Sequence, residues 1–180
     1  KEVTIKGIEL REGLVGVSND LAEKCDYGDL EFISSAIKDF SADGADIVVG
    51  LHACDTATDD AIVKGVELNA EVMIFAPCCH HYVRQAMKKS DRRNDLLKYG
   101  ILEQRQAEIV TDGLRAMTLE SFGYKIQVIE FISSEYTSKN VLITAVRNST
   151  KKTPEVLERI KDLKKEYGLS DYYLDKELHF

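Results

Sequence analysis

No stretch of these 180 residues is apolar for long enough to cross a bilayer, and the N-terminus does not resemble a signal peptide. A soluble, cytoplasmic protein is therefore expected. Cysteine is scarce, at Cys25, Cys54, Cys78 and Cys79, and the adjacent pair at 78–79 does not suit a secreted disulfide framework. The C-x2-C spacing of common zinc modules is missing. An excess of positive charge is missing too. Lys and Arg number 24 against 31 Asp and Glu, so the net charge of −7 excludes a whole-surface grip on nucleic acid and leaves room only for a local basic patch. There is no internal repeat and no low-complexity segment. The first residue is Lys, so a processing or cloning boundary is expected there.

What is present reads as a globular α/β chain. Hydrophobic residues make up 44%, enough to bury a core and too many for a disordered segment. Glu2 to Glu9 alternates through Val3, Ile5 and Ile8 as a strand that ends on an acidic residue. Leu14, Val17 and Leu21 have helical spacing within 10–25. Residues 30–34 form a second strand. Residues 46–51 (D-I-V-V-G-L) are a continuous apolar run, the pattern of a parallel strand buried on both faces. A helix over 56–68 follows, with Asp55 or Thr56 as its N-cap. Residues 71–76 make a fourth strand closed by Pro77, and 78–89 open a helix. A long helix spans 101–122 with Ala107, Val110, Leu114 and Met117 on one face. Strands at 124–132 and 140–147 are joined by a loop, 133–139, too short for a helical crossover, so they should be antiparallel. A mostly parallel sheet with one reversed late strand is the Rossmann-like arrangement of methyltransferases.

The tail is expected to be a separate helical segment, 149–180, after an α/β domain over 1–148. Thr153-Pro154 starts a helix, Gly168 ends it, and Ser170 is placed to cap a last short helix. The stripe Val156, Ile160, Leu163, Tyr167 needs an apolar partner, so the tail should dock on this domain or on a second copy.

Four segments carry a family resemblance: G-I-E-L-R (7–11), G-L-H-A-C-D-T-A-T-D-D-A-I (50–62), A-P-C-C-H-H (76–81) and T-S-K-N-V-L-I (137–143). Together they resemble class I S-adenosylmethionine-dependent methyltransferases of the generic methyltransferase-domain type, over roughly residues 2–148. The L-H-A-C-D and P-C-C-H segments are the distinctive parts. The resemblance implies that Glu9 binds the cofactor ribose, since one carboxylate accepts hydrogen bonds from both hydroxyls of a diol. By its residues alone Glu9 reads first as an exposed strand end, and the resemblance reverses that order. Ser35, Ala36 and Ile37 stand where such enzymes hold adenine. Ser35 replaces a common Asp, so recognition there should rest on backbone groups and on Ile37. Leu51 and His52 complete the cofactor contacts.

His52 and Cys54 follow one strand, and Cys78, Cys79, His80 and His81 follow the next. Ligands bind beyond the carboxyl ends of strands in open α/β sheets, so these clusters should converge. Three alternatives stand. Small residues and helix-capping histidines simply suit tight turns. Or His52, Cys54, Cys78, Cys79 and His80 line a methyl-transfer pocket. Or these residues and His81 bind a metal. Adjacent Cys78 and Cys79 should not both face one tetrahedral ion, so no metal is assigned.

The family's first strand and glycine-rich turn match nothing here and should precede Lys1. Weak or absent cofactor binding by the 180 residues alone is therefore expected. The strands ending at Glu9 and Leu51 must pair directly, accept a strand from a homodimer partner or a missing N-terminal part, or stay partly open. The implied function is methyl transfer from S-adenosylmethionine, with RNA as the expected substrate. Lys139 would meet a phosphate, Tyr136 would stack on a base and Asn140 would offer its amide. Arg84, Lys88, Lys89, Arg92 and Arg93 would extend that surface. The alternatives are a loop merely closed by Thr137 and Asn140, and, for the chain as a whole, a non-catalytic module binding zinc or a protein through its Cys/His clusters.

Overall fold

All six expected strands form, each within three residues of its expected bounds. The computed structural model describes residues 3–51, 53–90, 95–149 and 153–179, and the chain divides into two units, Lys1–Asp43 and Gly44–Phe180.

In the first unit, β1 (Ile5–Glu9) and β2 (Leu30–Ser34) pair in parallel through the crossover helix α1 (Glu12–Lys24). Asn19 of α1 fixes the helix to the sheet. Its amide donates to the Phe32 carbonyl at 3.0 Å, and its carbonyl oxygen accepts from the Phe32 N–H at 2.7 Å. Leu14, Val17 and Leu21 are exposed despite their helical spacing.

In the second unit, four strands take the order β3-β4-β6-β5, with β3 (Ile47–Leu51), β4 (Val72–Ala76), β5 (Tyr124–Glu130) and β6 (Val141–Arg147). β3 and β4 are parallel, and β6 runs antiparallel to both β4 and β5, as the short loop required. β3, β4 and β5 therefore point the same way, and their carboxyl ends share one edge. Among the described residues, β1 and β3 belong to different sheets.

Helices α2 (Thr56–Glu67), α3 (His81–Lys89) and α4 (Gly100–Ser121) follow the pattern of apolar spacing. The core lies between one sheet face and α2 and α4, where Ile62, Met73, Phe75, Leu114, Leu119 and Ile143 are buried. Gly65 sets the closeness of α2 to β4, because a Cβ there would stand 2.3 Å from the Met73 sulfur. The expectation that β3 is buried on both faces is corrected. Ile47, Val49 and Leu51 are 60, 54 and 58% exposed, whereas Gly50 is buried against Phe75. Among the described residues β3 has a strand partner on one side, and its odd-numbered residues lie on the sheet face away from α2.

The tail docks on the second unit. α5 (Pro154–Tyr167) starts at Pro154, ends at the left-handed Gly168 (φ 69°) and buries Val156 and Ile160. The Tyr167 hydroxyl accepts from the Gln106 amide of α4 at 3.3 Å. α6 (Tyr173–Leu178) buries Leu174 and Leu178, and Tyr173 reaches Asp60 of α2 at 2.5 Å. Ser170 does not cap α6, which begins after Tyr172. Among the described residues, no helix is long and apolar enough to cross a membrane.

Candidate functional site

Two strand-to-helix turns meet at the carboxyl edge of β3 and β4. The first, 53–55, leads into α2 through Asp55, whose backbone has φ 55°. Asp55 is the N-cap residue, but its carboxylate does not cap α2. It accepts the Tyr82 N–H of α3 at 3.0 Å, so one turn is pinned to the other. The second turn, 77–80, leads into α3. His52 lies outside the described residues.

The expected convergence of the cysteines is present. The sulfurs of Cys54 and Cys78 are 3.3 Å apart, those of Cys78 and Cys79 3.7 Å, and all three lie within 4.8 Å of one another. The expectation that neighbouring Cys78 and Cys79 cannot face one point is corrected, because the irregular backbone between β4 and α3 turns both thiols to the same side. Burial and the adjoining thiols push Cys78 upward from its ordinary pKa. Burial raises Cys79 as well, with Lys139 pulling against it.

Under this edge lies an ionic chain that the sequence did not reveal. Arg115 of α4, fully buried, donates from Nε to Asp59 Oδ1 at 2.7 Å and from Nη2 to Asp59 Oδ2 at 3.2 Å. Nη2 also donates to the Asp55 carbonyl at 2.8 Å, and Nη1 to Asp112 at 3.2 Å. Both oxygens of Asp112 meet His80 Nε2, at 3.0 and 3.1 Å. Burial disfavours the Arg115 charge, but the Asp59 carboxylate outweighs it and holds the guanidinium more firmly protonated than usual. His80 is thereby fixed by a carboxylate on one ring nitrogen, while Nδ1 is buried with no partner among the described residues.

A cavity of about 180 Å³ opens beside the thiols. Cys78, Cys79, His80 and His81 form one wall, and Arg84, Lys139 and α4 form the rest. Lys139 and the two histidines thus line one cleft. The cations there are already paired. Lys139 contacts Glu108, and Arg84 and Lys88 reach Glu103 at 3.1 and 3.4 Å. Burial alone would raise both carboxyls, yet these partners hold them below the usual range. Neither glutamate was singled out from the sequence. Tyr136 is exposed, and Asn140 is buried with its amide donating to the Ile132 carbonyl at 3.0 Å, which closes the loop. Lys89 is exposed, while Arg92 and Arg93 lie outside the described residues.

In the first unit, Glu9 ends β1 with both carboxylate oxygens held by Arg11. Oε1 accepts from the Arg11 Nε at 2.9 Å and N–H at 3.0 Å, and Oε2 accepts from Nη2 at 3.1 Å. The side-chain hydrogen bond to Arg11 is the main cause of a pKa lowered to about 2. We expect Glu9 to stay ionised through mild acid and to lose its charge only near pH 2. In Arg11→Ala, which keeps the backbone N–H bond but loses the guanidinium, its midpoint should rise toward the ordinary carboxylate range. Carboxyl carbon chemical shifts followed against pH check this, and an unmoved midpoint in the variant would show that Arg11 is not the cause. Ser35 donates its hydroxyl to the Ala36 carbonyl at 2.9 Å and its N–H to the Glu9 carbonyl at 3.2 Å. Its side chain is therefore already engaged, and Ile37 beside it is half-buried.

Residues 1–86 match the family model described as methyltransferase domain. No curated protein matches the chain in sequence. Among solved structures, an rRNA methylase from Streptococcus thermophilus is similar over 81% of this chain and 74% of its own, at 9% identity and a TM-score of 0.51. The plantazolicin methyltransferase BpumL, solved with SAH and a desmethylPZN analog, aligns over 82% of this chain and 68% of its own at 14% identity, with a TM-score of 0.46. The 23S rRNA methyltransferase ErmE aligns over 98% and 66% at 12% identity, with a TM-score of 0.47. The fold is the mixed α/β arrangement of class I methyltransferases.

Proposed function

We propose that this chain, whose residues 1–86 match the methyltransferase-domain family model, transfers a methyl group from S-adenosylmethionine to RNA. The observation that carries the proposal is the cleft at the carboxyl edge of the sheet, where Cys78, Cys79 and His80 meet Lys139. Of the similar structures, the rRNA methylase acts on a substrate of the proposed class.

The bound cofactor supplies an electrophilic methyl on a sulfonium, which a nucleophile attacks in line while the sulfur leaves as a neutral thioether. The chain's own residues bind and orient. Glu9, kept ionised by Arg11, has lone pairs left on both oxygens to accept a vicinal diol, so its chemistry fits a ribose. Backbone groups at Ser35 and Ala36, with the Ile37 side chain, suit the adenine. Cys54, Cys78, Cys79 and His80 shape the acceptor side, with His80 fixed by Asp112. Lys139 meets a phosphate by exchanging its Glu108 partner, and exposed Tyr136 stacks on a base. Asn140 positions that loop through Ile132.

Lys139→Ala tests the substrate side. In the full-length protein it should slow RNA methylation about 10–100-fold, the scale of one charge-assisted contact, and leave cofactor affinity nearly unchanged. The salt dependence of RNA binding should flatten by about one unit of slope. Equal rates and slopes in both proteins would remove Lys139 from the substrate surface.

A further inference from the structure

We propose that Cys54, Cys78 and Cys79 form a three-thiolate site for a thiophilic divalent ion, Zn2+ by preference, with its fourth position open toward the adjoining cavity. The argument is geometric. Around a tetrahedral ion with Zn–S bonds of about 2.3 Å, neighbouring sulfurs stand about 3.8 Å apart. The three sulfurs here are separated by 3.3 Å, 3.7 Å and at most 4.8 Å, so shifts of no more than about 1 Å in two turns bring all of them onto one ion. The ligands come from both turns. Cys54 precedes α2 and the other two precede α3, and the Asp55–Tyr82 hydrogen bond already holds those turns together.

The donor set is all sulfur. His80 is not a ligand through Nε2, which Asp112 occupies, and no other described His, Asp or Glu joins the cluster. Thiolates select a soft or borderline ion over Mg2+ or Ca2+. Binding displaces the three thiol protons to solvent and leaves a centre of net charge −1 (three thiolates and one dication). Cys78 and Cys79 both line the cavity, so the fourth position is open to water or to a ligand entering there. The function proposed above does not require this site, and its failure would leave that reading intact.

Co2+ added to the metal-free protein, anaerobically and with a non-thiol reductant, tests the site. The expected result is one Co2+ per chain, with the thiolate charge-transfer and tetrahedral visible bands, bleached when Zn2+ replaces it. Cys25→Ser should leave the spectrum unchanged. Cys54→Ser should lose about one third of the charge-transfer intensity. Its affinity should fall by more than the roughly 10–100-fold that an outer-shell loss costs. Cys54 is exposed, so serine there leaves the core intact, and an unchanged circular dichroism spectrum verifies this. Three results would each overturn the proposal: no tetrahedral bands in the wild-type protein, bands undiminished in Cys54→Ser and Cys78→Ser, or bands abolished by Cys25→Ser.

Discussion

Replacing Arg115 with Met should destabilise the protein by about 3–5 kcal/mol, the cost of breaking a buried ion pair from one side. The side chain has no exposed surface, and it satisfies both oxygens of Asp59, one of Asp112 and the Asp55 carbonyl. Methionine fills similar volume but leaves two buried carboxylates facing each other. The loss should therefore be charge, not packing. Adding Asp59→Asn and Asp112→Asn to the same variant should recover much of it, because neutral partners need no cation. Denaturant unfolding of the wild type, Arg115→Met and the combined variant measures this. A loss below about 1 kcal/mol in Arg115→Met, or no recovery in the combined variant, would show that the ionic chain does not hold the turns. The same substitution takes from Asp112, the anchor of His80, its Arg115 partner, so methylation should fall even under conditions where the variant remains folded.

Glu9→Ala should weaken S-adenosylmethionine binding by the full-length protein roughly tenfold or more, the scale of charge-assisted bonds to a diol. Glu9→Gln separates charge from shape. It keeps an acceptor oxygen but loses the second one and the charge, so its affinity should lie between the two. The fold should be indifferent to both changes, since Glu9 lies at a strand end and its carboxylate is held by its near neighbour Arg11. Calorimetry measures the affinities, and equal values in all three proteins would return Glu9 to an ordinary exposed strand end.

The strand and helix order was legible because each element carries its own period, and the antiparallel β5–β6 pair followed from the length of one loop. Glu9 at the end of β1 was legible for the same reason. The exposure of β3 was not. An apolar run such as Ile47-Val48-Val49 has no period, so it cannot distinguish a strand covered on both faces from one open on a side. The three thiols meet in irregular backbone, where spacing says nothing about direction, and the sequence argument against adjacent Cys78 and Cys79 failed there. The Arg115 chain was missed because Asp112 and Arg115 stand at i and i+3, the spacing of an ordinary surface pair. The signal was present in the stripe Ala107, Thr111, Arg115, Thr118: four buried positions on one helix face, one of them a charge.

Methyl transfer to RNA is tested most directly by supplying the full-length protein with S-adenosylmethionine labelled on its methyl group, together with cellular RNA. The expected result is label that survives protease digestion, disappears with ribonuclease, and is strongly reduced in both Glu9→Ala and Lys139→Ala. Label that resists ribonuclease and follows the protein fraction, or no transfer by a protein shown to bind the cofactor, would contradict it.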